Sequence, residues 1–316
     1  MKTTLLAAAL VMGVLMVSST SADAHDNHKD HDRYAQVVNP VIPSKMEFAG
    51  QKIDLDRVDM WERLDRELTS QVFTHGNTLL TIKRANRYFP MMAPILRKNG
   101  IPEDLLYLAC IESTLNPRAL SGAKAAGLWQ FMPETGKQYG LEVNDYVDER
   151  YDPELATEAA CRYLAKAYDR FGNWESAAAS YNGGMARISG ELDKQMGTSA
   201  YDLYLADETS RYMFRLLAMK VIMENPRLYG YTLTKEQLYQ PVEYDIVEVS
   251  EPVEDWPLWA SDYGINFMQL RDANPWIRAK SLPNKNNKTY KVRIPKQSSL
   301  YRSKQHKSVY IPNWVN

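Results

Sequence analysis

Among the residues able to do chemistry, Glu112 is set apart by its place on a helix. The segment that starts at Pro102 puts Leu105, Leu108, Ala109 and Glu112 at positions i, i+3, i+4 and i+7, the spacing of a core-facing stripe. A glutamate therefore closes an apolar face. Buried carboxylates are rare unless they are paired or functional. Burial disfavours the charged form, raises the pKa and prepares the acid to donate a proton near neutral pH. The same position is also the last helical turn, from which the side chain can swing into water. Spacing alone does not separate the two.

Three more segments could serve such an acid. The first is Gly122-Ala123-Lys124-Ala125-Ala126-Gly127-Leu128-Trp129-Gln130-Phe131-Met132-Pro133. Its glycines permit close backbone approach. Trp129 and Gln130 supply a flat apolar face and an amide, the two things a sugar ring needs. The plainer alternative is a tight loop around a core tryptophan. The second is Ser180-Tyr181-Asn182-Gly183-Gly184, where Tyr181 and Asn182 can orient a carboxyl and an N-acetyl group, or simply end a helix. The third is Asp207-Glu208-Thr209-Ser210-Arg211-Tyr212, which opens a helix whose N-terminus Glu208 would suit in any case. In the loop after Glu112 no acid appears before Glu134, so a carboxylate pair is not in view.

The elements that must position these residues are helical from about Asp54 to Met223. Helical spacing and charge predict helices over 55–73 and 77–98, the second stopped by Asn99-Gly100. The Glu112 helix runs from Pro102 through Ser113 and breaks at Asn116-Pro117. Asp152-Pro153 is an N-cap and first-turn proline pair for a helix that runs to Phe171-Gly172. A shorter helix covers 174–181, and a long one covers 208–223 before Pro226. Near Gln240 the pattern changes. Residues 243–249 alternate as a strand, two short helices follow over 257–263 and 267–274, and 290–294 reads as a second strand. The result is a mainly α chain with a small β-α-α-β unit after about residue 240.

At the N-terminus, Lys2, the apolar run 5–17 and the small-x-small site Ala22-Asp23-Ala24 have the layout of a secretory signal peptide. The apolar run is short for a membrane span, which needs about 20 apolar residues. No other segment could span a membrane, so the mature chain is expected to carry no transmembrane helix. Residues 25–53 form a polar leader. His25, His28 and His31 lie in it without a second cluster to complete a metal site. Export opens a disulfide-forming compartment; Cys110 and Cys161 lie on two predicted helices and are either a pair or two buried thiols. A formal net charge of −1 over 316 residues gives no basic field for nucleic acid.

Taken in order, the motifs resemble those of the family 1 lytic transglycosylases, glycoside hydrolase family 23. The residues are Ile111-Glu112-Ser113, Leu115-Asn116-Pro117, Ala126 through Pro133, Tyr181-Asn182, and Glu208-Thr209 through Tyr212. The resemblance covers about residues 80–225, within a helical domain at 54–235. One departure is Ser180, where the family commonly has alanine. The resemblance implies a lysozyme-like fold of the goose-type or Slt kind. It also implies peptidoglycan glycan strands as substrate, cut between N-acetylmuramic acid and N-acetylglucosamine. Glu112 matches the sole catalytic carboxylate, first acid and then base toward the muramic C6 hydroxyl, which closes a 1,6-anhydro ring. Ser113, Gly127, Leu128, Trp129, Gln130, Phe131, Tyr181, Asn182 and Tyr212 match the substrate site, with Ser113, Gln130, Tyr181 and Asn182 orienting Glu112 and the sugar. No metal or organic cofactor is implied, and the expected location is the periplasm or cell envelope. Goose-type lysozymes, which hydrolyse on a related fold, share the missing second acid.

Residues 240–296 resemble a LysM module, a binder of N-acetylglucosamine-containing glycans. The match lies in 244–249, Asp262-Tyr263-Gly264-Ile265, Leu270, Asn274-Pro275 and Arg293-Ile294-Pro295. The Gly-Asp-Thr/Ser turn usual after the first strand is replaced by Ser250-Glu251-Pro252-Val253-Glu254-Asp255. That turn helps form the sugar groove, so a structural appendage is the alternative. Residues 297–316 are expected to be a polar tail with aromatics at its end.

Overall fold

A computed structural model describes residues 38–316. The signal peptide and the histidine-bearing part of the leader lie outside the described residues. Among the described residues the first element is a hairpin, β1 (Met46–Phe48) paired antiparallel with β2 (Gln51–Ile53). Ala49 and Gly50 turn it with positive φ at both positions, as a two-residue hairpin loop demands. Met46, Phe48 and Ile53 are buried in the main core. The polar leader therefore ends earlier than residue 53. The strands are three residues long, too short for their alternation to show against polar neighbours.

Helices follow: α1 (Val58–Phe73), α2 (His75–Lys98), α3 (Leu106–Ser113) and α4 (Pro133–Gln138). Then come α5 (Pro153–Phe171), α6 (Trp174–Gly183), α7 (Met185–Gln195) and α8 (Asp207–Glu224). The expected helices are present, and α4 and α7 are additional. The predicted cap at Asp152 is real: its carboxylate accepts from the backbone N–H of Glu154 at 2.9 Å and Leu155 at 3.0 Å. α8 packs against α1, α3 and α6, and its residues 212–223 are nearly all buried. Long α8 is thus the beam on which the ends of α3 and α6 converge. Cys110 and Cys161 are both free and buried.

The C-terminal unit is β3 (Tyr244–Val249), α9 (Trp256–Asp262), α10 (Phe267–Ala273) and β4 (Tyr290–Pro295). β3 and β4 pair antiparallel, Tyr244 opposite Pro295 and Val249 opposite Tyr290. Trp256, Leu270, Trp276 and Val292 fill its own core. The unit is joined firmly to the helical domain. Arg293 meets Asp152 at 2.5 Å and Glu154 at 3.2 Å. Lys288 meets Glu149 at 2.6 Å and Glu142 at 2.9 Å. Backbone bonds run from Asp148 N–H to the Trp276 carbonyl and from Arg278 N–H to the Tyr146 carbonyl, both 2.9 Å.

The end of the chain corrects the expectation of a polar tail. Trp314 is fully buried against Phe89 and donates its indole N–H to the Met223 carbonyl at 2.6 Å. Buried Asn86 on α2 holds the same strap, accepting from Tyr310 N–H at 2.8 Å and donating to the Ser308 carbonyl at 3.1 Å. Val309, Tyr310, Ile311 and Val315 pack against the same core, but so short an apolar cluster after a polar stretch carries no period that would tell it from a loose end.

Candidate active site

Glu112 sits in the last turn of α3, where Thr114 and Leu115 both take positive φ. That left-handed exit ends the helix and turns the chain away. The Glu112 side chain is left at the edge of the core, partly open to solvent. Its Oε1 accepts a 2.6 Å hydrogen bond from the Tyr212 hydroxyl on α8. Among the described residues no Lys, Arg or His forms an ion pair with it. Burial is the main influence and lifts its pKa from 4.5 to about 7. The Tyr212 hydrogen bond and the charge of Arg215 pull the other way, while the charge of Glu208 adds to burial. An acid poised near neutrality can both give a proton and take one back.

Tyr212 is itself buried, and its phenol is held well above its ordinary pKa, chiefly by burial and then by the adjoining Glu112 charge. It therefore stays a donor. Arg215, one turn further along α8, lies 5.8 Å from the Tyr212 ring centre and donates to the Glu208 carbonyl at 3.3 Å. Sequence reading overlooked Arg215. Its separation of three residues from Tyr212 was the available signal, since i and i+3 share a helix face.

The 126–131 loop packs beside Glu112. Ala126 bridges to Leu120 and to Phe131. Gly127 has φ +77°, and a Cβ there would run into the Arg150 carbonyl, so the position requires glycine. Gln130 also takes a positive φ. Its amide donates to the Gly127 carbonyl at 2.9 Å. Ser113 donates to the Leu128 carbonyl at 2.8 Å. The Tyr181 hydroxyl donates to the Trp129 carbonyl at 2.8 Å. The residues on either side of the carboxylate thus clamp the loop by its backbone.

This arrangement changes several expected roles. Trp129 is fully buried and gives its indole N–H to Thr157 at 2.9 Å. It offers no face to a sugar. Leu128 and Phe131 are buried too, so the loop's apolar residues anchor it from below. The hydroxyls of Ser113 and Tyr181 and the Gln130 amide hold the loop rather than touch the carboxylate. The direct partner of Glu112 is Tyr212, which sequence matching marked only by its place. Gln130, Tyr181 and Asn182 remain partly exposed around the site. Glu134 is solvent-exposed and paired with Lys137 at 3.0 Å, so it is no second acid here. Ser180, the departure from the family pattern, is absorbed internally by bonds to the Ala177 carbonyl at 2.7 Å and from Tyr163.

Residues 91–203 match the family model "Transglycosylase SLT domain". The SLT domain is therefore the part of the chain that holds Glu112. Residues 245–298 match "Soluble lytic transglycosylase C-terminal LysM-like domain". Membrane-bound lytic murein transglycosylase D of Escherichia coli K12 is 31% identical over 226 residues, 70% of this chain and 48% of that protein. Peptidoglycan transglycosylase gp16 of Escherichia phage T7 is 36% identical over 122 residues, 38% of this chain and 9% of that protein. The chain spans about half the length of the first of these relatives. The 70 kDa soluble lytic transglycosylase of Escherichia coli superposes with a TM-score of 0.37 at 26% identity, covering 43% of this chain and 24% of that one. Its complex with bulgecin A gives 0.40 at 21% identity, covering 55% and 31%.

Proposed function

We propose that this chain is an exported peptidoglycan lytic transglycosylase that cuts the β-1,4 bond between N-acetylmuramic acid and N-acetylglucosamine. The observation that carries the reading is a single carboxylate, Glu112, which lies in the stretch matching the SLT domain, is raised to about pKa 7 and is hydrogen-bonded to Tyr212 just beyond that stretch. In the first step neutral Glu112 gives its proton to the glycosidic oxygen, the C1–O bond breaks, and the N-acetylglucosamine side leaves as an alcohol. In the second, the muramic C6 hydroxyl attacks C1 and its proton passes to the Glu112 carboxylate. The 1,6-anhydro ring closes, no water is consumed, and Glu112 regains its starting form. A pKa near 7 suits both halves, because each proton transfer then runs with little bias at neutral pH.

Tyr212 stabilises the carboxylate between the steps by donating a charge-assisted bond. Arg215 supports the same charged state through its field. Gln130, Tyr181 and Asn182 are the partly exposed groups placed to meet the sugar. Ser113, Gly127, Leu128, Trp129 and Phe131 keep the loop rigid, so their contribution is to shape. Glycosidases normally need a second carboxylate to hold water or a glycosyl intermediate; internal attack by C6 hydroxyl removes that need.

The proposed location is the periplasm or cell envelope. Among the described residues no helix is long and apolar enough to cross a membrane. Digestion of purified sacculi followed by mass analysis of the fragments tests the reading. Muramic ends in the anhydro form are expected, and reducing muramic ends would assign a hydrolase instead. Equal digestion by Glu112→Gln would remove Glu112 from the chemistry, and no digestion by either chain would leave a peptidoglycan-binding protein.

A further inference from the structure

A cleft between the helical domain and the C-terminal unit takes no part in the reaction above. It comprises adjoining cavities of about 290 and 440 Å³. Arg84, Arg87 and Tyr88 of α2 line one wall. Pro117 and Arg118, from the turn that follows the Glu112 helix, and Tyr244 with Asp272 from the C-terminal unit complete it.

The charges in this cleft are unequally matched. Arg118 is paired with Asp272, and Glu154 is paired with Arg293 at 3.2 Å. Among the described residues neither Arg84 nor Arg87 forms an ion pair. Each is instead fixed by a neutral acceptor. Arg84 donates to the Thr114 carbonyl and hydroxyl, both at 3.0 Å. Arg87 uses Nε on the Gln240 carbonyl at 3.0 Å and lies over the Tyr239 ring. Held this way, two guanidiniums keep donors to spare and are pre-organised in a concave, proline-walled space. Guanidinium forks recognise carboxylates in two-pronged fashion. The Tyr88 and Tyr244 phenols face the same space and are pushed up in pKa chiefly by burial, Tyr244 to about 12, so they remain hydrogen-bond donors. The walls offer apolar surface as well as donors, the usual mix of a ligand site.

We propose that this cleft is a second binding site, for a short peptide ending in a free carboxylate, the kind of group that stem peptides carry along a peptidoglycan strand. Arg84 and Arg87 hold the carboxylate, and Tyr88 and Tyr244 take the amide and side-chain surface behind it. The inference rests on the transglycosylase reading for the source of the peptide, but not on the chemistry at Glu112. Arg84 also grips Thr114, two residues from Glu112, so an occupied cleft bears directly on the turn that ends the catalytic helix.

The test is titration calorimetry on the full chain carrying Glu112→Gln, so that nothing turns over. The probes are a synthetic tetrapeptide with a free C-terminal D-alanine carboxylate, its C-terminal amide, and inorganic phosphate. Arg87→Gln, or amidation of the peptide, is expected to weaken binding about tenfold or more, the scale of one charge-assisted bond. Tyr244→Phe, which removes one hydroxyl and keeps the ring, should weaken it by a smaller factor. Peptide binding that ignores Arg87→Gln and amidation alike overturns the proposal. So does phosphate binding as tightly as the peptide, which would make this a simple anion site. Sacculus digestion by the chain with native Glu112 and Arg87 separates the two readings. If the chain with native Glu112 and Arg87 digests sacculi but the peptide fails to bind, the cleft proposal alone falls. If the peptide binds while that chain leaves sacculi intact, the transglycosylase reading falls and the cleft stands.

Discussion

The SLT domain and its seam with the C-terminal unit both withdraw carboxylates from water, and they treat them in opposite ways. Along the seam every such acid meets a cation. Asp152 faces Arg293, Glu149 faces Lys288, and Asp148 faces Arg150 at 2.7 Å. At the end of α3, Glu112 has a tyrosine hydroxyl in place of a cation, and burial raises its pKa to about 7, so a large share keeps its proton at neutral pH. A paired buried acid fixes geometry, and removing its partner is costly. An unpaired one stores a proton. Among the described residues Glu175 is also buried without a cation and raised by burial, so Glu112 is set apart by its bond to Tyr212 together with its place beside the 126–131 loop.

The largest expected effect breaks the contrast at Glu112. Glu112→Gln should lower the rate of sacculus solubilisation about 10³-fold or more, since one residue supplies both acid and base, while circular dichroism stays that of the parent. On the seam, Asp152→Asn leaves buried Arg293 with only the more exposed Glu154 as its charge partner. It should cost up to about 3 kcal/mol in urea unfolding, with the rate per folded molecule little changed. Tyr212→Phe sharpens the comparison from within the site. It removes the bond that favours the charged form, so the alkaline limb of kcat/KM, near pH 7 in the parent, should move up. About one pH unit or more is expected, because bonds to charged groups contribute about 1.5–3 kcal/mol and one unit is 1.36 kcal/mol. The smallest effect is on stability. Glu112 has a raised folded-state pKa, so it binds its proton more tightly when folded. Its contribution is full below pH 4.5 and is lost as pH rises through about 7. Glu112→Gln should then raise Tm at pH 8, by about 2–4 °C for each kcal/mol that the raised pKa represents, and leave it unchanged near pH 4.

The same contrast explains what the sequence disclosed. Helices with caps and apolar stripes were legible, as Asp152-Pro153 and the Leu105–Glu112 stripe illustrate, because their signals are local. Glu112 could be picked out for the same reason. Its partner could not be inferred physically, since Tyr212 lies 100 residues away and only the packing of α8 on α3 brings it near. The apolar loop residues depart from expectation in one consistent way. Trp129 has the right chemistry for a sugar, yet its type does not tell whether the side chain faces the groove or the core; it is buried, whereas Gln130 stays partly exposed. The hairpin at 46–53 and the Trp314 strap escaped because each depends on a few apolar residues in polar surroundings. The seam pairs, Arg293 with Asp152 above all, join residues far apart in sequence whose spacing has no period.

The measurement that bears most directly on this account is a titration of the Glu112 carboxyl by carbon-13 NMR in the intact chain, with Glu112→Gln to assign the resonance. A midpoint near pH 7 is predicted. A midpoint near 4.5, the value of an ordinary glutamate, would mean that Glu112 is ionised at neutral pH and cannot begin the reaction as the proton donor.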